Sequence, residues 1–121
     1  MAPAHRLLDA RQGQLVLERL ELATSFWQRF RGLQFRRPLD AGHGLWLEPC
    51  TSIHTCWLRF PLDVAFLDAR GTVLAVQRQV PPWRIRLAPP GTRAVLETTA
   101  GQLPQSLKTG DRLQIVPSLT E

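Results

Sequence analysis

Apolar and polar residues take turns along short stretches of this chain, and the period is mostly two. Such alternation marks strands with one buried face. Residues 14–23, "QLVLERLELA", alternate through Leu20, Glu21 and Leu22 and predict a strand or tight hairpin, with a helix as the competing form. The period then changes. In "TSFWQRFRGL", Ser25 and Gln28 stand at the spacing of a capping box, and Phe26, Phe30 and Leu33 stand at helical spacing. Gly32 can end that helix, which is short. After the loop "RRPLDAGHG" the pattern returns to β. "LWLEP" is a strand stopped by Pro49, and "TSIHTCWLRF" is β-branched and aromatic. "LDVAFLD" and "TVLAVQRQV" flank the turn "ARG" as a hairpin, which Pro81 and Pro82 interrupt. "WRIRL" sets Trp83, Ile85 and Leu87 on one face and Arg84 and Arg86 on the other. "TRAVLETT" follows the turn "APPG", and "RLQIV" follows the long connection "AGQLPQSLKTGD".

Short strands between Pro/Gly turns predict a mainly β fold: a compact β-sandwich or small barrel with one short helix near the N-terminus. No repeat or linker divides residues 1–121, so one domain is expected. Its core covers about residues 14–117, and the front ten or so residues and the closing "PSLTE" are expected to be loosely held.

A chain of 121 residues buries enough surface to fold without a disulfide or metal. No apolar run is long enough to span a membrane. The start, "MAPAHRLLDARQGQLVLERL", lacks a continuous apolar stretch before a small-residue cleavage site, so a signal peptide is not expected and the cytoplasm is. Two cysteines are too few for a secreted disulfide scaffold. The net charge is +5, almost all of it arginine, and Lys108 is the only lysine. A basic chain is drawn to nucleic acid or anionic surfaces. The arginines are scattered from Arg6 to Arg112, however, with Arg36 and Arg37 the only adjacent pair, and this spread argues against a nucleic-acid partner.

The reactive side chains gather in "CTSIHTCWLRFPLD", residues 50–63. As one strand, it puts Cys50, Ser52, His54, Cys56 and Leu58 on a common face. Cys50 and Cys56 would then lie roughly 20 Å apart, too far for a disulfide. Cys50 and His54 would be roughly 13 Å apart, too far to share a zinc ion. No metal or cofactor is expected. Cys56 and His54 can meet, with Asp63 or Glu97 orienting the imidazole, but no nucleophile elbow or oxyanion loop accompanies them. A buried histidine satisfied by a carbonyl or carboxylate is the preferred reading. In "RFPLD", Pro61 marks a strand start, an edge or a bulge, and Asp63 can accept backbone N–H bonds there. Arg59 can pair with Asp63 across a kink, or form an anion site with His54. Arg29 and Arg31 precede Gly32 at a predicted helix C-terminus, where the dipole disfavours anions. Glu97 stands inside an apolar strand, either exposed or as the buried partner of an arginine or histidine.

In this order, "RFRGL", "GLWLEPCTSIHT", "FPLDVAFLDARGTVLAV", "VLETTAG" and "KTGDRL" resemble the "domain of unknown function 192" family, from about Leu22 to Val116. The resemblance implies a compact, mainly β domain with a short helix near the front, and it carries no reaction. Members often show an aromatic residue, a glycine and a methionine after "SIHT", where this chain has Cys56, Trp57 and Leu58. That departure argues against a family mechanism through Cys56.

The expectation is a small soluble binding or accessory domain of unknown biochemical role, rather than an enzyme, with a protein or small molecule as partner. The alternative is a small-ligand binder or enzyme whose polar site draws on His54, Thr55, Arg59, Asp63, Cys50 and Glu97. A basic nucleic-acid-binding module is the second alternative.

Overall fold

The computed structural model of the protein describes residues 5–34 and 36–118. Along the chain run β1 (His5–Asp9), β2 (Leu15–Ala23), α1 (Phe26–Arg31), β3 (His43–Leu47), β4 (Ser52–His54), β5 (Leu62–Leu67), β6 (Val73–Val80), β7 (Ile85–Leu87), β8 (Ala94–Thr99) and β9 (Leu113–Pro117). The protein is mainly β with one short helix, as its alternating pattern predicts. Among the described residues no helix is long and apolar enough to cross a membrane.

Seven strands form one sheet in the order β6-β5-β8-β3-β2-β1-β9, and β4 and β7 pair apart from it as a two-stranded ribbon. Within the large sheet only β2 and β3 run parallel. Parallel neighbours need a crossover between them, and α1 with its following loop provides it. The outer strands of the sheet then meet. Thr72 bridges Arg112, Val73 N–H donates to the Asp111 carbonyl at 2.7 Å, and Leu113 N–H donates to the Gly71 carbonyl at 2.8 Å. The sheet therefore curls round and is stitched edge to edge, which makes it a small barrel rather than two stacked sheets.

Alternate residues of the central strands serve two apolar layers. Ala65 and Leu67 of β5, Leu96 of β8 and Trp46 of β3 join Leu7, Leu17, Leu20, Val73 and Leu113 in one cluster. Val64 and Phe66, Val95, and Leu45 and Leu47 from the same strands face the other way, against Leu33, Ile53, Leu58 and Phe60. The second layer is thus covered by the β4–β7 ribbon and the segment after α1. All six residues of β5 are buried because both its faces are covered.

Three local expectations change. The front residues 5–9 are not loose: they form β1, which pairs with β2 and β9 and buries Leu7 completely. The strand expected over residues 50–58 keeps only Ser52–His54, and Trp57 beyond it turns through φ 66°. Of Trp83, Ile85 and Leu87, expected on one strand face, only Ile85 and Leu87 lie on β7; Trp83 precedes it with φ 65°, and all three are exposed. The capping box of α1 is present, with Ser25 and Gln28 bonded reciprocally, yet none of its residues is buried. Leu33, just past the Gly32 cap, is the residue that enters the core.

Candidate functional site

Strand alternation decides where Glu97 points. Val95 faces the layer beneath the ribbon, and Glu97, two residues on, faces the same way. The carboxylate is almost fully enclosed, and among the described residues its Oε1 has no hydrogen-bond partner. Burial without a counter-charge pushes its pKa up to about 7. The chain comes close to it at Gly32. A Cβ there would stand 3.1 Å from Glu97 Oε1, and the residue has φ 51°, so glycine suits this wall on both counts.

Glu97 lines a cavity of about 300 Å³ between the end of α1 and residues 47–54. After β3, Cys50 N–H donates to the Arg93 carbonyl at 2.8 Å, and residues 49–54 run along the cavity. The Cys50 thiol donates to the Ser52 carbonyl at 3.1 Å, and burial pushes its pKa up. It is a neutral thiol engaged as a donor, not a thiolate nucleophile. The His54 ring packs against Phe30, centroids 5.3 Å apart, and lies 3.4 Å from Gln34 Nε2, at the long end for a hydrogen bond. Phe26, Arg29 and Arg31 complete the α1 side of the cavity.

Cys50, His54 and Glu97 therefore line one cavity, and the other expected site residues lie elsewhere. Thr55 is buried in a backbone tie: its Oγ1 donates to the Pro81 carbonyl and accepts from Arg84 N–H, both at 2.7 Å. Asp63 is buried at a register shift between β5 and β6. Its Oδ1 accepts from Gln79 N–H at 3.0 Å and its Oδ2 from Gly101 N–H at 2.9 Å, with Arg78 Nη1 at 3.7 Å. Gln79 has φ 57°, so Asp63 holds the odd residue of a bulge. Arg59 is exposed, and Asp63 takes its ion pair from Arg78. Cys50 and Cys56 are free, and Cys56 lies in the turn after β4. Among the described residues no three His, Cys, Asp or Glu side chains converge as a metal site would require. Gln34 and Phe30, the neighbours of His54, were not among the expected site residues. Spacing within α1 carries no sign that its aromatic side looks toward β4.

The model of the DUF192 family, described as "Uncharacterized ACR", matches residues 8–115. A UPF0127 protein from Thermococcus sibiricus is 29% identical over 99 residues, a match spanning 78% of this chain and 64% of that relative's length. A solved structure from Sinorhizobium meliloti, provisionally named a transcription regulator, superposes with TM-score 0.74 at 27% identity, covering 93% of this chain and 92% of its own. A protein of unknown function from Novosphingobium aromaticivorans shares the fold, with TM-score 0.78 at 23% identity over 92% of this chain and 83% of its own.

Proposed function

The chain belongs to the DUF192 family, which brings it no reaction, and we propose that it is a small-ligand-binding domain whose cavity is anchored by Glu97. The carrying observation is the buried, unpartnered Glu97 Oε1 at the cavity wall. A buried acceptor without a partner is costly, and a ligand that donates a hydrogen bond to it removes that cost. The ligand class is therefore a compact molecule with an ammonium, amine or hydroxyl group, at the small end of the range that protein cavities accept. His54 and Phe30 offer it a flat wall.

Binding is favoured over catalysis because the reactive groups are engaged elsewhere: the Cys50 thiol on the Ser52 carbonyl, Asp63 on two backbone amides. The proposed location is the cytoplasm, where Cys50 and Cys56 stay as free thiols.

A thermal-shift screen of small amines, polyols and amino acids on the purified chain tests the reading. A hit should bind Glu97→Gln about tenfold to a hundredfold more weakly, the worth of a hydrogen bond to a charged group. His54→Ala should weaken it as well. Hits that bind both variants as tightly as the wild type, or no hit in the class at all, would retire the proposal.

A further inference from the structure

We propose that the face formed by α1 and the outer side of the β4–β7 ribbon docks onto a lipid bilayer containing anionic lipid. Among the described residues, eight large apolar side chains are exposed, and seven of them lie on α1, on β7 or in the turns beside the ribbon. They adjoin one another. Phe26 and Trp27 each pack against Phe30, and Phe30 packs against the His54 ring. His54 stands opposite Ile85 in the ribbon, and Ser52 opposite Leu87, so these four share its outer face. Trp83 N–H donates to the Thr55 carbonyl, and the Trp83 ring packs on Trp57 at 4.8 Å.

The charge of the molecule is divided along the same line. Residues 24–33, 50–61 and 81–93, which supply this face, carry six arginines and no Asp or Glu. The rest of the chain carries nine Lys or Arg against ten Asp or Glu, so the whole excess of +5 comes from these three segments. Arg93 pairs with Glu48. Among the described residues, no carboxylate pairs with Arg29, Arg31, Arg59, Arg84 or Arg86. Arg86 lies on β7 and Arg84 just before it, and their Nη1 atoms turn back onto the Ile85 and Trp83 carbonyls, which keeps both charges beside the apolar side chains.

An anionic membrane surface matches this combination. Tryptophan settles at the headgroup level, aliphatic side chains enter the acyl boundary, and arginines nearby are drawn to the negative surface. Single-stranded nucleic acid would use the rings and arginines but has no use for Ile85 and Leu87, which present no π face to a base. A symmetric contact with a second copy would set arginine against arginine. The proposal holds whether or not the cavity takes a ligand.

Vesicles of phosphatidylcholine alone and of phosphatidylcholine with phosphatidylglycerol, mixed with the full chain, provide the test. Co-sedimentation with the anionic vesicles is expected, weakened by salt, together with a blue shift of tryptophan emission. Three of the four tryptophans lie on this face, and Trp46 is buried. The double variant Ile85→Asp/Leu87→Asp and the double variant Arg84→Glu/Arg86→Glu should each lose about tenfold or more in vesicle affinity. Leu15→Asp, at an exposed apolar position on β2, should bind as the wild type does. Failure of the wild type to bind anionic vesicles overturns the proposal, as does equal binding by both double variants. Binding of a single-stranded oligonucleotide without vesicle binding, or self-association in place of it, also overturns it.

Discussion

Glu97 is the residue at which the fold holds a cost in reserve. Its pKa in the folded protein, about 7, lies above the ordinary 4.5. The folded state therefore keeps its proton where the unfolded chain has lost it. Stability is full at acid pH, falls as the pH rises from about 4.5 to 7, and stays reduced above that. The reduction amounts to roughly 3 kcal/mol at alkaline pH. Glu97→Gln removes the titration, so melting curves at pH 5 and pH 8 should show the variant gaining stability over the wild type only at the higher pH. A gain that is the same at both pH values would show that desolvation of the carboxylate is not the cause. Asp63 is the opposite case. It is as deeply buried, yet it is paid back by Gln79, Gly101 and Arg78. In the sequence the two carboxylates look alike, each within an apolar strand. Only the partners tell them apart, and those of Asp63 lie 16 and 38 residues away along the chain.

At the scale of elements, the β4–β7 ribbon depends on Thr55. Its hydroxyl ties Pro81 and Arg84 together, while its backbone N–H and carbonyl bond Arg84 and Trp83. Thr55→Val keeps the shape and removes the hydroxyl, leaving the Arg84 N–H and Pro81 carbonyl without it. A loss of about 1–3 kcal/mol is expected in denaturant unfolding, with faster amide exchange at Arg84. An unchanged exchange rate would mean that the backbone bonds alone hold the ribbon. Most strands were legible from their period and their Pro and Gly borders, and α1 from its cap. The alternation of Ile85, Arg86 and Leu87 was legible too, but neither the left-handed turn at Trp83 nor which face meets water. Alternation reports that a strand has two kinds of side, and only tertiary packing assigns one to the core. The ribbon has a single buried side, reached by Ile53, and among the described residues nothing lies over Ile85 and Leu87. The break after His54 was hidden because Thr55, Cys56 and Trp57 all suit a strand, and the backbone turns at Trp57 nonetheless.

For the whole molecule, the barrel seam is the feature with most at stake. Gly71 sits on it with φ 83°, and a Cβ there would come within 2.4 Å of the Leu113 carbonyl oxygen. Gly71→Ala combines backbone strain with a clash against main chain that has little room to yield. It should cost about 2 kcal/mol or more, with the Val73 and Leu113 amides exchanging first. Protection of those amides equal to that of the wild type would show that the seam does not carry the closure. The seam was not legible at all, because β6 and β9 are apart in sequence and carry no signal naming each other. The place of β9 also orders events in time. It covers the outer edge of β1 and meets the start of β6, so one strand closes the β1 edge and the near end of the β6 edge. Until residues 113–117 have left the ribosome, the β1 edge and the start of β6 stay unpaired, and each is a template for wrong pairing in the nascent chain.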